Sequence, residues 1–221
     1  KQVLMSKSIY SLLLLLVYFG YTQENPLKYR EDQIYFSIYY NSLGDNLNNF
    51  KENKFSSSIN VGFLRDIPLS SSGKFAIGIG FGLGINSFNN NLKLSNSNSY
   101  TLLNNREIPR KNVFNYSEFQ LPFEIRWRNS SIDSYKFWRI YAGLKYSRVF
   151  SSSYIFESEQ EKYKLNNTPI NLDQIGLTLN IGFNTWNIGL YKSLDSFFNK
   201  KIDSLPNNLE HFKLGLVFYI L

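Results

Sequence analysis

Eight stretches of the chain alternate apolar and polar residues with a period of two, and no stretch after residue 22 carries a comparable helical period. The third is the most regular: Phe75, Ile77, Ile79, Phe81, Leu83 and Ile85 alternate with Ala76, Gly78, Gly80, Gly82 and Gly84. The first runs from Gln33 to Tyr40. The second runs from Phe55 to about Leu64, with Phe55, Ile59, Val61 and Phe63 facing away from Ser56, Ser58, Asn60 and Gly62. The fourth sets Phe119, Leu121, Phe123, Ile125 and Trp127 against Glu118, Gln120, Glu124, Arg126 and Arg128. The fifth sets Trp138, Ile140, Ala142, Leu144 and Tyr146 against Arg139, Tyr141, Lys145 and Ser147. The sixth carries Ile175, Leu177, Leu179, Ile181 and Phe183, the short seventh Trp186, Ile188 and Leu190, and the eighth Phe212, Leu214, Leu216, Phe218 and Ile220. Such alternation predicts strands with one apolar and one polar face.

The connections alternate too. Those at 41–54, 86–112, 151–171 and 193–209 are long and rich in Asn, Ser or charge, while those at 66–73, 129–134 and 184–185 are short. Long and short loops in strict turn are the expected signature of an antiparallel up-and-down transmembrane β-barrel, with short periplasmic turns and long external loops. Several strands reach the ~9–11 residues that cross hydrocarbon at a tilt. Eight strands return the chain to the side where it began, so both termini are expected in the periplasm.

Charge decides which face meets lipid. With the apolar faces outward, Glu118, Glu124, Arg126, Arg128, Arg139 and Lys145 fall inside, where they can pair as a structural polar network. Reversed, each basic residue near the midplane would cost roughly 2–4 kcal/mol. A soluble barrel with its apolar faces inward would have to fit Phe, Ile and Trp from all eight strands into a narrow interior. An eight-stranded interior is just wide enough to fill with side chains, and the glycines from Gly78 to Gly84 make room for long ones. The expectation is a plugged barrel rather than an open pore. Tyr35, Trp127, Trp138 and Trp186, near strand ends, suit an interfacial girdle, and the ordinary strand propensity of aromatics explains them equally well.

Residues 1–22 read as a secretory signal. Lys7 precedes an apolar run from Ile9 to Phe19, followed by Gly20 and Thr22, with cleavage expected before Gln23. The run of about 11 residues is too short to span as a helix, which needs about 20. The barrel domain is then 23–221. Composition sharpens this reading in three places. Aromatics reach 17%, while mean hydropathy is only -0.27, as expected when one strand face meets lipid and the other is polar. No cysteine is present, so disulfides, thiolate metal sites and cysteine nucleophiles are excluded. The net charge of +7 is spread rather than clustered, against nucleic-acid binding.

Five segments resemble outer-membrane β-barrel proteins of Bacteroidota of the porin-family or PorT-like kind. They are Tyr29-Arg30-Glu31-Asp32-Gln33, Phe119–Arg128, Tyr135–Lys145, Gly182–Tyr191 and Lys213–Leu221. The resemblance spans nearly all of the chain after residue 22, and its motifs are structural. It implies an eight-stranded outer-membrane barrel, and one branch of that family serves type IX protein secretion and gliding.

Catalytic and cofactor chemistry finds little footing. A lipid-modifying barrel enzyme needs a His beside a Ser and a carboxylate. The one histidine, His211, is expected as a polar residue at the outer rim, with Glu210 adjacent but Lys213 two positions on. Glu157, Glu159 and Glu161 offer oxygen ligands of the kind Ca²⁺ takes, though a solvated loop face explains them as well. The glycines of Gly78–Gly84 are followed by no helix, which argues against a phosphate loop. No catalytic residue, cofactor or metal is expected. The expected role is a non-enzymatic accessory subunit of an outer-membrane complex, of type IX secretion or barrel-assembly type. Its partners would be outer-membrane lipid and other outer-membrane or periplasmic proteins. A small solute channel and a lipid-modifying enzyme are the alternatives.

Overall fold

Backbone N–H and C=O groups along a strand need partners, and an open sheet leaves two edges without them. The alternating segments supply one another's partners by closing a cylinder. The computed structural model describes residues 30–44, 50–52, 54–70, 72–95, 99–103, 109–129, 137–199 and 209–220. The leader expected at 1–22 lies outside the described residues. The strands are β1 (Gln33–Leu43), β2 (Ser57–Pro68), β3 (Phe75–Asn89), β4 (Leu92–Leu94), β5 (Tyr100–Leu102), β6 (Lys111–Arg128), β7 (Trp138–Glu157), β8 (Lys162–Asn166), β9 (Asp173–Phe183), β10 (Trp186–Ser193) and β11 (His211–Ile220). Eight of them form the barrel in chain order, β1, β2, β3, β6, β7, β9, β10 and β11, each antiparallel to its neighbours. The β1–β11 ladder closes it, from Ile34 opposite Ile220 to Leu43 opposite His211. β8 pairs with the far end of β7, and β4 with β5 forms a small separate hairpin.

The outer wall is apolar over a defined band. Ile79, Phe81, Phe119, Leu121, Phe123, Leu144, Leu177, Ile188 and Leu216 are all exposed there. Between them, on the same strands, Arg126 and Arg128 are 0% exposed and point inward. A continuous apolar belt of this size is stable against hydrocarbon and not against water. Its vertical extent fits a bilayer. The outward apolar runs at 119–127, 175–183 and 212–220 match the ~9–11 residues needed for a tilted crossing. Trp127, Trp138 and Trp186 lie on this outer face at the end of the barrel that carries the short turns. Tyr35 does not join them. It shares the inward parity of Gln33 and Ser37, is 8% exposed, and its hydroxyl donates to Gln120 Oε1 at 3.1 Å.

At the long-loop end the wall turns inside out. On β6, the inward residues of the belt are Glu118, Gln120, Glu124, Arg126 and Arg128, but further up they are Phe114 and Tyr116. The outward residues change from Phe119, Leu121 and Phe123 to Ser117, Asn115 and Lys111. β3 does the same: Ile85 faces out, and Phe88 faces in. β7 arrives there differently. Its register against β6 slips between Ser117 and Glu118, so that Glu118 pairs with Val149 and Ser117 with Ser151. Phe150 is the extra residue, and this β-bulge turns even-numbered positions from outward (Leu144, Tyr146) to inward (Tyr154, Phe156). Above this level a second, apolar core fills the barrel mouth, built from Leu43, Phe88, Phe114, Tyr116, Tyr154, Phe197 and Phe198 with Leu92 and Leu94 of the hairpin. Burial alone pushes the Tyr100 phenol beside this core above its ordinary pKa.

This corrects two of the loops expected from the alternation. The stretches 86–112 and 151–171 contain the ends of β3 and β7, the start of β6, and all of β4, β5 and β8. The alternation there continues, but with the apolar residues facing inward, because the surroundings of the wall have changed from lipid to water.

The boundary is testable by charge. Phe123→Arg, in the middle of the belt, should cost about 2–4 kcal/mol in urea unfolding from lipid vesicles. Asn115→Arg, four positions above Phe119 on the same outer face, should shift it by no more than about 0.5 kcal/mol.

Candidate functional site: the filled barrel interior

All six residues expected inside, Glu118, Glu124, Arg126, Arg128, Arg139 and Lys145, point into the barrel and are buried. They fall into two groups. Toward the short-turn end, Asp66 of β2, Gly78 of β3 and Glu124 of β6 lie abreast in register. Because Gly78 has no side chain, Arg126 can lie across it; a Cβ there would sit 2.4 Å from the Arg126 Nε. Arg126 donates through Nε to Glu124 Oε2 at 3.0 Å and through Nη1 to Asp66 Oδ1 at 3.1 Å. Arg128 forks onto the same acid, Nη1 to Oδ1 at 3.0 Å and Nη2 to Oδ2 at 2.7 Å, and its Nε donates to the Gly73 carbonyl at 2.8 Å. Glu31, leading into β1, adds a second acid 3.6 Å from Arg128 Nη1, and its N–H donates to Asp66 Oδ2. Paired, planar Arg–carboxylate contacts are the geometry that lets buried charges persist.

Arg139, opposite Arg128 in register, takes a different environment. Its guanidinium lies 4.6 Å from the Phe137 ring centroid and 5.5 Å from that of Tyr219. Arg126 likewise lies 4.7 Å from the Tyr141 ring. Aromatic faces thus replace missing carboxylates for part of this cluster.

Toward the long-loop end, Lys213 of β11 donates to Asn86 Oδ1 at 2.6 Å and lies 3.7 Å from Glu118 Oε1. Glu118 accepts from Gln120 Nε2 at 2.7 Å, and that amide also donates to Asn60 Oδ1 at 2.8 Å. Lys145 lies 4.3 Å from the centroid of the Tyr191 ring, which Lys213 also approaches at 5.2 Å. Between the two groups is a cavity of about 40 Å³ lined in part by Glu124, Lys145, Thr178, Asn180 and Tyr191. At 10–15 Å³ of accessible volume per molecule, that is room for roughly three waters. Above everything sits the apolar core described earlier.

Three charged members of the network were not singled out in the sequence: Glu31, Asp66 and Lys213. Asp66 is expected in a turn, yet β2 runs on to Pro68, and Asn60, Leu64 and Asp66 share one inward parity. His211 also departs from expectation. It is not at an exposed rim but 1% exposed, stacked 5.1 Å from Tyr191 with Phe88 and Phe197 edge-on. Neither ring nitrogen bonds to a described residue, whereas a base activating a hydroxyl must be hydrogen-bonded to it. Of the acidic alternation, Glu157 lies 3.6–3.7 Å from Lys162 and Lys111, and Glu161 lies 3.0 Å from Lys93. Lysines rather than a shared cation neutralise these two.

Asp66→Ala should leave Arg126 and Arg128 short of their common acceptor and cost about 3–5 kcal/mol. Gly78→Ala, which displaces Arg126, should cost about 1–3 kcal/mol by overpacking. Urea unfolding in vesicles, followed by fluorescence of Trp127, Trp138 and Trp186, measures both. An unchanged midpoint for Asp66→Ala would mean the cluster holds nothing in place.

Residues 21–219 match the family model described as the outer membrane protein beta-barrel domain. No curated protein matches the sequence. Among solved structures, the chain is similar to Ail, the attachment invasion locus protein of Yersinia pestis, in complex with the heparin analogue sucrose octasulfate. The identity is 11% and the TM-score 0.39, over 86% of this chain and 99% of that one. A second structure of Ail gives 9% identity and a TM-score of 0.36, over 86% and 97%. The family match covers the whole closed cylinder apart from Ile220, and with it the lipid-facing belt and the filled interior: the chain belongs to the outer membrane protein β-barrel domain family.

Proposed function

We propose that this protein is a non-conducting, non-enzymatic outer-membrane barrel that serves as an accessory subunit of a larger outer-membrane assembly. The observation that carries the reading is the interior. It is occupied at successive levels by the Asp66–Arg126–Arg128 cluster, the Glu118–Lys213 group and the apolar core at the mouth. A barrel filled in this way does its work through its surfaces. The long-loop end offers a firm one, because β6 and β7 continue as paired strands beyond the belt and β8 widens them. The resemblance of several strands to PorT-like barrels supports a role beside a secretion or barrel-assembly machine.

In this reading residues 1–22 are removed on export, the short turns and both ends of the barrel face the periplasm, and the apolar-cored cap faces outward. The uneven lengths of the connections support that orientation. The solute-channel alternative finds less support in a cavity of about 40 Å³ than the accessory role does. The lipid-modifying alternative rests on His211, which is stacked among aromatic rings.

Gentle detergent extraction of native membranes followed by affinity capture should recover a defined partner protein in stoichiometric amount; a lone monomer would contradict the accessory role. Planar bilayers containing the purified protein should show no steady conductance. Stable single-channel steps would contradict the filled interior.

A further inference from the structure

β7 changes neighbours partway along its length, and the change opens a recess in the outer wall. Through Arg148 its edge pairs with β9, and from Ser153 onward the same edge pairs with β8. Residues 149–152 lie between these ladders, at the bulge, and the connection 167–172 stands off from them. That connection is pinned at both ends. Asn167, at φ 54°, donates its N–H to the Ser152 carbonyl at 3.0 Å, and Val149 N–H donates to the Leu172 carbonyl at 2.8 Å. It is also tied from behind, where Asn171 N–H donates to the Phe197 carbonyl and Ile170 bridges to Phe198. The result is a walled cleft of about 390 Å³, within the size range of small-molecule sites.

Its chemistry is divided. Among the described residues, no ionisable side chain lines it. Phe150 and Leu172, 54% and 43% exposed, line it on the side that continues the lipid-facing belt, where Phe150 packs on Phe119 at 4.7 Å. Ser151, Ser152, Asn167 and Asn199 supply neutral polar groups on the other side. Thr168 also lines it, is 4% exposed, and its hydroxyl has no partner among the described residues. A buried hydroxyl without a partner is costly unless something satisfies it. The cleft sits at the level where the outer wall passes from apolar to polar, so its natural occupant has the same division along its length.

We propose that this cleft binds a membrane lipid at the junction of its acyl chain and head group, and selects lipids whose junction carries neutral hydroxyl or amide groups. The acyl chain runs along Phe150 and Leu172, and the hydroxyl or amide pairs with the Thr168 side chain and the neighbouring neutral groups. The proposal needs only the membrane boundary established above, not the accessory role, so conductance and partner capture leave it untouched.

The test is native mass spectrometry of the full chain with two added probes, an N-(3-hydroxyacyl)glucosamine glycolipid and phosphatidylglycerol of equal chain length. The wild-type protein should retain the glycolipid at least about tenfold better. Thr168→Val, which keeps the shape and removes the hydroxyl, should lower glycolipid retention about fivefold and leave phosphatidylglycerol unchanged. Ser151→Trp, which fills the cleft from an exposed position, should abolish the preference. Heat-modified gel mobility checks that each variant is folded, and Thr168→Val alone decides the matter if Ser151→Trp does not fold. Equal retention of the two probes by the wild type, or glycolipid retention unaffected by Thr168→Val, would overturn the proposal and leave only a non-selective lipid annulus.

Discussion

A barrel wall is one strand thick, so each residue that faces out on one position faces in on the next. At the membrane surface the outside of that wall changes from hydrocarbon to water. The outer face must then become polar, and the inner face, no longer restricted by lipid, becomes free to hold an apolar core. Everything else in this molecule is arranged around that change. On β3 and β6 the sequence makes it by moving its apolar residues from odd to even positions, as from Phe119 to Phe114. On β7 the apolar residues keep their parity, and a single extra residue at Phe150 turns the strand over instead. Two sequence devices on neighbouring strands therefore produce one boundary at the same height, and the lateral cleft is a by-product of the second.

Below the boundary, the lipid-facing wall cannot supply a hydrophobic core, because its apolar side chains point away from the interior. The interior is held by charge, by ring contacts and by a small buried cluster in which Leu64 and Val217 pack among Tyr35, Tyr39, Tyr141 and Tyr219. Asp66 is the centre of this arrangement. Arg126 and Arg128 reach it from β6 across β3, and the Glu31 backbone reaches it from the entry to β1, so one carboxylate gathers groups from the start of the chain and from its middle. Buried ion pairs add little net stability compared with apolar packing, but an unpaired member is costly. Such a cluster penalises a slipped register, since a one-residue slip of β6 would carry Glu124, Arg126 and Arg128 to the lipid face.

The eight strands were legible because lipid on one side and a polar filling on the other impose a strict period of two. The lengths of the connections gave the antiparallel order. What was not legible follows from reading residue type before parity. Tyr35 looks like a girdle residue by type, but its parity is that of Gln33 and Ser37, and it lies inside. Asp66 looks like a turn residue beside Pro68, but it continues the inward series of Asn60 and Leu64. The end of β3 and the start of β6 look like loop because their apolar residues move to the opposite parity there, and the upper part of β7 looks like loop because Arg148, Ser151, Ser152 and Ser153 interrupt an apolar parity that itself does not change. His211 could not have been placed from the sequence alone, since its stacking partners come from β3, β10 and the segment around Phe197.

The whole arrangement depends on the height of the boundary, and the absence of cysteine from the chain makes that height directly measurable. Single cysteines placed in turn at the outward positions Val113, Asn115, Ser117, Phe119, Leu121 and Phe123 of β6 would carry nitroxide labels in lipid vesicles. Relaxation by oxygen, which concentrates in hydrocarbon, would be compared with relaxation by a water-soluble nickel chelate. Oxygen should dominate at 119, 121 and 123, nickel at 113, 115 and 117, with the crossover beside the bulge. Oxygen dominance persisting to 113, or nickel dominance reaching 121, would contradict the inversion of the wall at the membrane surface.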